Sequence, residues 1–195
     1  MIEIELKFQV DEEEKKSLLF DAEFKKSKVN IDSYYDTNNF DLVKKDIWLR
    51  DRNGRFELKL PRTGNDQSAT SYEEIEEDKK IKNYFSFDQN VELKTSLRLA
   101  GYRPFSTFKT ERETYERDGI TLDFDSTIFD QDTDNPFVMV EAEIMVADGT
   151  DIIREKQALK DKVKGFGVAL NSGGGKGSEY FRRYQPKIYK DFFNN

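Results

Sequence analysis

The chain contains no cysteine and no histidine. Without cysteine there are no disulfides, no thiol nucleophile and no thiolate zinc site. Without histidine, the commonest general base and the commonest transition-metal ligand are both missing. Any catalytic base must then be Asp, Glu, Lys, Tyr or a metal-bound hydroxide. Any metal must be a hard cation held by carboxylates, so Mg²⁺, Mn²⁺ or Ca²⁺. No apolar run approaches the roughly 20 residues of a membrane span. The N-terminal segment is acidic and lacks the apolar stretch of a signal peptide, so a cytoplasmic location is expected. A net positive charge is also missing: the formal charge is −7. That argues against nucleic acid or an anionic membrane as the main partner.

What is present is charge and aromatic mass together. Charged residues make up 36% of the chain, where about 25% is usual. Aromatics make up 13%, including 16 Phe, which argues against disorder. At 195 residues, a single domain spanning 1–195 is expected. Helices are predicted over 11–28, 78–100 and 150–165, with Gly101 as a C-cap of the second. The tail "SEYFRRYQPKIYKDFF" predicts a terminal helix interrupted or restarted at Pro186.

Between these lie strand-like segments that share an oddity. "IEIELKF" alternates Ile2, Ile4, Leu6 and Phe8 with Glu3, Glu5 and Lys7. Successive side chains of a strand point to opposite faces, so one face is wholly ionisable. "IWLRDR" puts Trp48, Arg50 and Arg52 together, and "RFELKL" puts Glu57 with Lys59. "FKTERETY" sets Arg112 among threonines, "ITLDFD" pairs Asp123 with Asp125, and "VMVEAEI" pairs Glu141 with Glu143. "YEEIEE" and "DSYYDT" complete about eight strands, and "RNGR" at 52–55 signals a hairpin. On any one strand this pattern describes a solvated face. Repeated on nearly every strand, it suits a closed barrel whose interior holds side chains or a small ligand. Like charges crowded there need counter-ions: divalent cations on the carboxylates and a polyanion on the Arg and Lys side.

The ordered set "EIELKF", "YYDT", "WLRDR", "ELK", "EEIE", "DFD" and "VEAEI", with a Lys before the final helix, resembles the CYTH superfamily, or triphosphate tunnel metalloenzymes. The resemblance runs from residue 2 to about residue 190. It implies an α+β fold: an eight-stranded antiparallel β-barrel, a tunnel with a hydrophilic interior, flanked by helices. It implies a hydrolase of triphosphate substrates using Mg²⁺ or Mn²⁺. Within the family, "SYYDTNNFDLVKKDIWLRDRNGRFELKLP" is most similar to thiamine triphosphatases. Inorganic triphosphatase, class IV adenylyl cyclase and a non-catalytic polyphosphate or nucleotide binder are the alternatives. The implied partner is a small-molecule triphosphate, and the chain is expected to be a monomer or dimer.

By this resemblance, Glu3, Glu5, Asp123, Asp125, Glu141 and Glu143 are metal ligands. Lys7, Arg50, Arg52, Lys59, Arg112 and Lys176 contact phosphate, and Trp48 lies against a thiazolium ring. Lys7, Tyr34 and Lys59 are the catalytic candidates, with Tyr34 paired to Lys7 for proton transfer. "SGGGKGS" at 172–178 is similar to a phosphate-binding loop, G-x-x-x-x-G-K-[ST]. Gly177 stands where Ser or Thr is required, so the segment reads instead as a flexible loop presenting Lys176.

Overall fold

The structure, a computed structural model, describes residues 1–62, 69–171 and 174–193. Eight strands close into one antiparallel barrel: β1 (Ile2–Phe8), β2 (Glu23–Asp36), β3 (Trp48–Arg52), β4 (Arg55–Pro61), β5 (Ala69–Ile75), β6 (Arg103–Arg117), β7 (Ile120–Phe129) and β8 (Asp132–Val146). Their order around the barrel is β1-β5-β4-β3-β2-β6-β7-β8. The β3–β4 turn carries Asn53 and Gly54 at φ 51° and 86°, the left-handed pair that a two-residue hairpin requires.

The apolar core lies outside the barrel. Ile4, Leu6 and Phe8 join Leu122, Val140 and Ala142 in one cluster, capped by α1 (Glu12–Leu19) and α4 (Ile152–Gly165) through Leu18, Leu159 and Val163. Leu49, Phe56 and Leu58 are covered by α2 (Asp78–Tyr84) and α3 (Leu93–Leu99) through Ile81, Leu93 and Leu97. Phe108, Phe129 and Met139 pack under α5 (Lys176–Tyr184), with α6 (Pro186–Phe193) against them. Every residue of β1 except Lys7 is buried, on both faces. The even residues face helices and the odd ones face the barrel axis.

Two helix expectations are corrected. The helix expected over 11–28 ends at Leu19. Asp11 caps it with a reciprocal bond from Glu14, but Asp21 turns left-handed at φ 58°. "EFKKSKVNIDSYYD" is then all strand. Lys25, Lys26 and Lys28, within the expected helix, belong to β2, and Phe24 is 53% exposed. The helix expected over 78–100 is two helices, broken where Ser86 takes φ 58°. Both breaks fall on non-glycine residues, so no glycine marked them. The 150–165 helix, Gly101 at φ 90° and the restart at Pro186 are as expected. Lys176 is corrected too: it is buried and opens α5 instead of riding a loop. The start of the glycine run, residues 172–173, lies outside the described residues.

Candidate functional site

The barrel encloses a cavity of about 770 Å³. It is lined by Glu3, Glu5 and Lys7 of β1, Tyr34 of β2, Trp48, Arg50 and Arg52 of β3, and Lys59 of β4. Arg112, Asp123, Glu141, Glu143 and Lys176 complete the ring from β6, β7, β8 and α5. The strand register explains the convergence. Arg112 pairs with Asp125 across β6 and β7, Asp123 with Glu141 across β7 and β8, and Glu141 with Lys7 across β8 and β1. Side-chain alternation then turns the same parity of each strand inward.

Acids and bases interleave inside; they do not segregate into a metal face and a phosphate face. Arg112 is the hub. It donates to Asp125 through Nε at 2.6 Å and Nη2 at 2.5 Å, and its guanidinium also contacts Asp123 and Glu141. Lys176 reaches Glu141 at 3.2 Å and contacts Asp125. Lys59 Nζ stands 2.9 Å from Glu3 and 2.7 Å from Glu74. Lys7 contacts Glu5, which also accepts from Thr70 Oγ1 at 3.0 Å. Arg50 donates to Glu57 at 2.6 Å, and Arg52 makes a two-pronged contact with Asp32 at 2.6 and 3.0 Å. Fixed guanidinium forks aimed at one axis suit phosphate oxygens.

The proton affinities follow from this crowding. Burial opposes charge on Lys59, but Glu5, Glu3 and Glu74 outweigh it and hold the ammonium well above the ordinary lysine range. Burial likewise disfavours ionised Glu141, yet Lys176 and Arg112 keep it well below the usual carboxylate range. Glu143 goes the other way. Burial, then the neighbouring Glu3, Asp123 and Glu141, push its carboxyl up to about 8. At that corner, negative charge exceeds what the local cations neutralise. The donors there are all carboxylate oxygens, which is the chemistry of a hard divalent cation. Among the described residues, no three of these carboxylates already converge on a metal position.

Two expected arrangements shift and one placement holds. Asp125 does not line the cavity; it is fully buried behind Arg112 and Lys176 and positions both. The Tyr34 hydroxyl accepts from Arg50 Nη1 at 3.4 Å, while Lys7 donates to Glu5 and Thr70, so the Tyr34–Lys7 pair is not formed. Trp48 does stand at the cavity wall. Its ring is 6.3 Å from Phe193 at 26°, edge-on to Tyr34 at 6.0 Å, and its indole N–H donates to Asp46 at 3.0 Å. Asp46 also accepts from Tyr72 at 2.8 Å.

The glycines around Lys176 have a packing reason. A Cβ on Gly175 would sit 3.0 Å from Lys7 Cδ, and one on Gly177 would collide with the Trp48 ring. The run is close-packed against two tunnel side chains, which needs no phosphate-loop explanation.

Sequence reasoning missed Lys26, Lys28, Asp46 and the aromatics Tyr189, Phe192 and Phe193, all of which line the cavity. The two lysines were hidden by the helix assignment. Asp46 sits in a left-handed turn after a short 3₁₀ segment that no periodicity announces. Asp32, the anchor of Arg52, shares the parity of Tyr34 and was legible by that signal.

A family model of the CYTH domain matches residues 1–166. No curated protein matches the chain significantly. Solved structures do. A Pyrococcus horikoshii protein is 23% identical with a TM-score of 0.58, over 86% of this chain and 92% of that one. A candidate adenylate cyclase from Bacillus halodurans is 18% identical with a TM-score of 0.53, over 93% and 96%. A candidate adenylyl cyclase from Hippeastrum, described as having a dominant triphosphatase activity, is 19% identical with a TM-score of 0.55, over 93% and 95%. At these identities the likeness is one of fold.

Proposed function

The chain belongs to the CYTH family, and from that premise we propose that it hydrolyses triphosphate substrates inside the barrel, with thiamine triphosphate as the organic substrate. The observation that carries the hydrolase reading is the ring of inward Arg50, Arg52, Lys59, Arg112 and Lys176, each braced by a carboxylate. Such a ring can grip a polyanion without losing its own geometry. Family membership and a neighbour described as a triphosphatase support the same reading. We take residues 1–195 as one domain, because α5 and α6, beyond the family match, supply Lys176 and the aromatic wall.

Glu3, Glu5, Asp123, Glu141 and Glu143 are the residues that would hold Mg²⁺ or Mn²⁺. A bound divalent ion supplies charge neutralisation on phosphate oxygens and a more acidic water. The chain's own residues do the rest. Arg50, Arg52, Arg112, Lys59 and Lys176 align the phosphates and stabilise negative charge on the equatorial oxygens. Water adds to the terminal phosphorus, the bond to the bridging oxygen breaks, and orthophosphate and the diphosphate leave. Lys7 lies beside the ring on β1, and Tyr34 holds Arg50 in place.

Trp48 and Asp46 support thiamine. An indole face is a cation–π partner, and a carboxylate 3.0 Å from the indole nitrogen favours a cationic ring over an anionic one. One observation favours inorganic triphosphate instead: Phe193 is stacked on Trp48, so a thiazolium must displace it or take another edge. Phosphate release measured with thiamine triphosphate, inorganic triphosphate and ATP in Mg²⁺ separates these readings. The proposal expects thiamine triphosphate to be turned over. Release from inorganic triphosphate alone would remove thiamine, and cyclic AMP from ATP would point to a cyclase.

A further inference from the structure

All eight strands are antiparallel, so the start of β2 and the start of β3 lie at opposite ends of the barrel. Trp48 opens β3. Lys26 and Lys28 lie near the start of β2, with Lys28 six residues from Tyr34, or about 20 Å along the strand. Both lysines line the cavity.

The other cations of the cavity are neutralised locally. Those at the centre each contact a carboxylate. Lys25, beside the two lysines, contacts Glu23 at 2.6 Å and Glu116 at 3.2 Å. Among the described residues, Lys26 and Lys28 make no ion pair. Lys28 is half-buried and lies opposite Arg112 in the β2–β6 register. Burial and the charges of Arg112, Arg52 and Lys26 hold its ammonium below the ordinary lysine value. Asp123 attracts it but is already engaged by Arg112 and Thr114. A half-buried ammonium facing two guanidinium groups is an unfavourable arrangement until an anion joins it.

We infer that Lys28, assisted by Lys26, forms an anion subsite for a tetrahedral phosphate group at the barrel end opposite Trp48. The inference rests on the reading of the cavity as a triphosphate site and extends it past the carboxylate cluster. The group could be the outermost phosphate of a linear polyphosphate longer than three units, or the orthophosphate that hydrolysis releases. The chemistry is the same, and the source is an outcome of the test.

The test is calorimetric titration of the full chain with orthophosphate, tripolyphosphate and tetrapolyphosphate, in chelator so that binding is read without turnover. Losing one charge-assisted contact should weaken orthophosphate about tenfold in Lys28→Gln, and Lys28→Arg should restore it. If the subsite serves longer chains, the tetra-to-tripolyphosphate affinity ratio falls as well. If it serves the product, that ratio holds while inhibition of turnover by orthophosphate weakens. Lys26→Gln, at an exposed position, gives a smaller loss and stands in should Lys28→Gln fail to fold. Unchanged orthophosphate binding in both variants overturns the inference. So does equal weakening of all three anions, which would place Lys28 in the triphosphate grip itself. A wild type that releases no phosphate from any triphosphate, yet binds orthophosphate through Lys28, would sink the hydrolase reading and leave the subsite.

Discussion

Where β3 begins, the tunnel wall is aromatic: Trp48 backed by Tyr189, Phe192 and Phe193, with the Asp46 carboxylate beside the indole. Where β2 begins, the wall carries Lys26 and Lys28, which make no ion pair among the described residues. Between these ends, the inward cations among the described residues are each paired with a carboxylate. The contrast teaches how one barrel can orient an asymmetric ligand. The cations of the centre are each held by a carboxylate, so in the proposed function the centre would hold phosphates without choosing a direction. The ends choose. A flat cationic group suits the aromatic end and an anionic group suits the lysine end.

Breaking the centre should have the largest effect, because it removes what the two ends share. Arg112→Ala leaves Asp123, Asp125 and Glu141 buried around a lost counter-charge. Removing one partner of a buried ion pair costs about 3–5 kcal/mol. The denaturation midpoint should fall accordingly, with phosphate release abolished. A variant of wild-type stability would show that Arg112 is not the hub.

Next comes the aromatic end. Trp48→Ala should lower kcat/KM for thiamine triphosphate relative to inorganic triphosphate by about tenfold, the scale of a cation–π contact. Equal losses on both substrates would remove Trp48 from substrate choice. A smaller effect is expected from Gly177→Ala, whose methyl displaces the indole. The same ratio should fall severalfold, with a shift in the emission of Trp48, the single tryptophan of the chain.

The last prediction is a pH dependence at the carboxylate corner. Glu143 keeps its proton up to about 8 when folded, against 4.5 as its ordinary value. A group whose folded affinity for protons is the higher contributes stability in full below about pH 4.5 and loses it as pH rises through about 8. Metal-free protein should therefore lose this increment across that window. Mg²⁺ binding near neutral pH should expel a proton, so its apparent affinity should rise with pH and flatten above about 8. Calorimetry in buffers of different ionisation enthalpy reads the proton directly, and a pH-independent Mg²⁺ affinity would contradict the assignment.

Much of this was legible in the sequence, for one reason. Inside a barrel, period-two alternation carries the entire inner lining, so Glu3, Glu5 and Lys7 announce their shared face without knowledge of their neighbours. What alternation cannot carry is contact between strands. Asp123 and Asp125 look equivalent along β7, yet Asp125 is consumed by Arg112 and Lys176 while Asp123 faces the cavity. Register decides between them. The lysines of β2 were lost to a competing local signal: "DEEE" followed by "KKSK" reads as a helix with complementary ends, and the left-handed break at Asp21 carries no glycine to mark it. Lys176 was found by family resemblance, but its burial was not, because helix α5 places it and the glycine run only permits it.

Emission of Trp48 on addition of ligand tests the orientation of the whole tunnel most directly, since no other tryptophan contributes. Thiamine triphosphate should change the emission strongly and saturably, while inorganic triphosphate, held by the centre alone, should bind with little change. Thiamine triphosphate that binds and is hydrolysed with the emission of Trp48 unaltered would contradict the account.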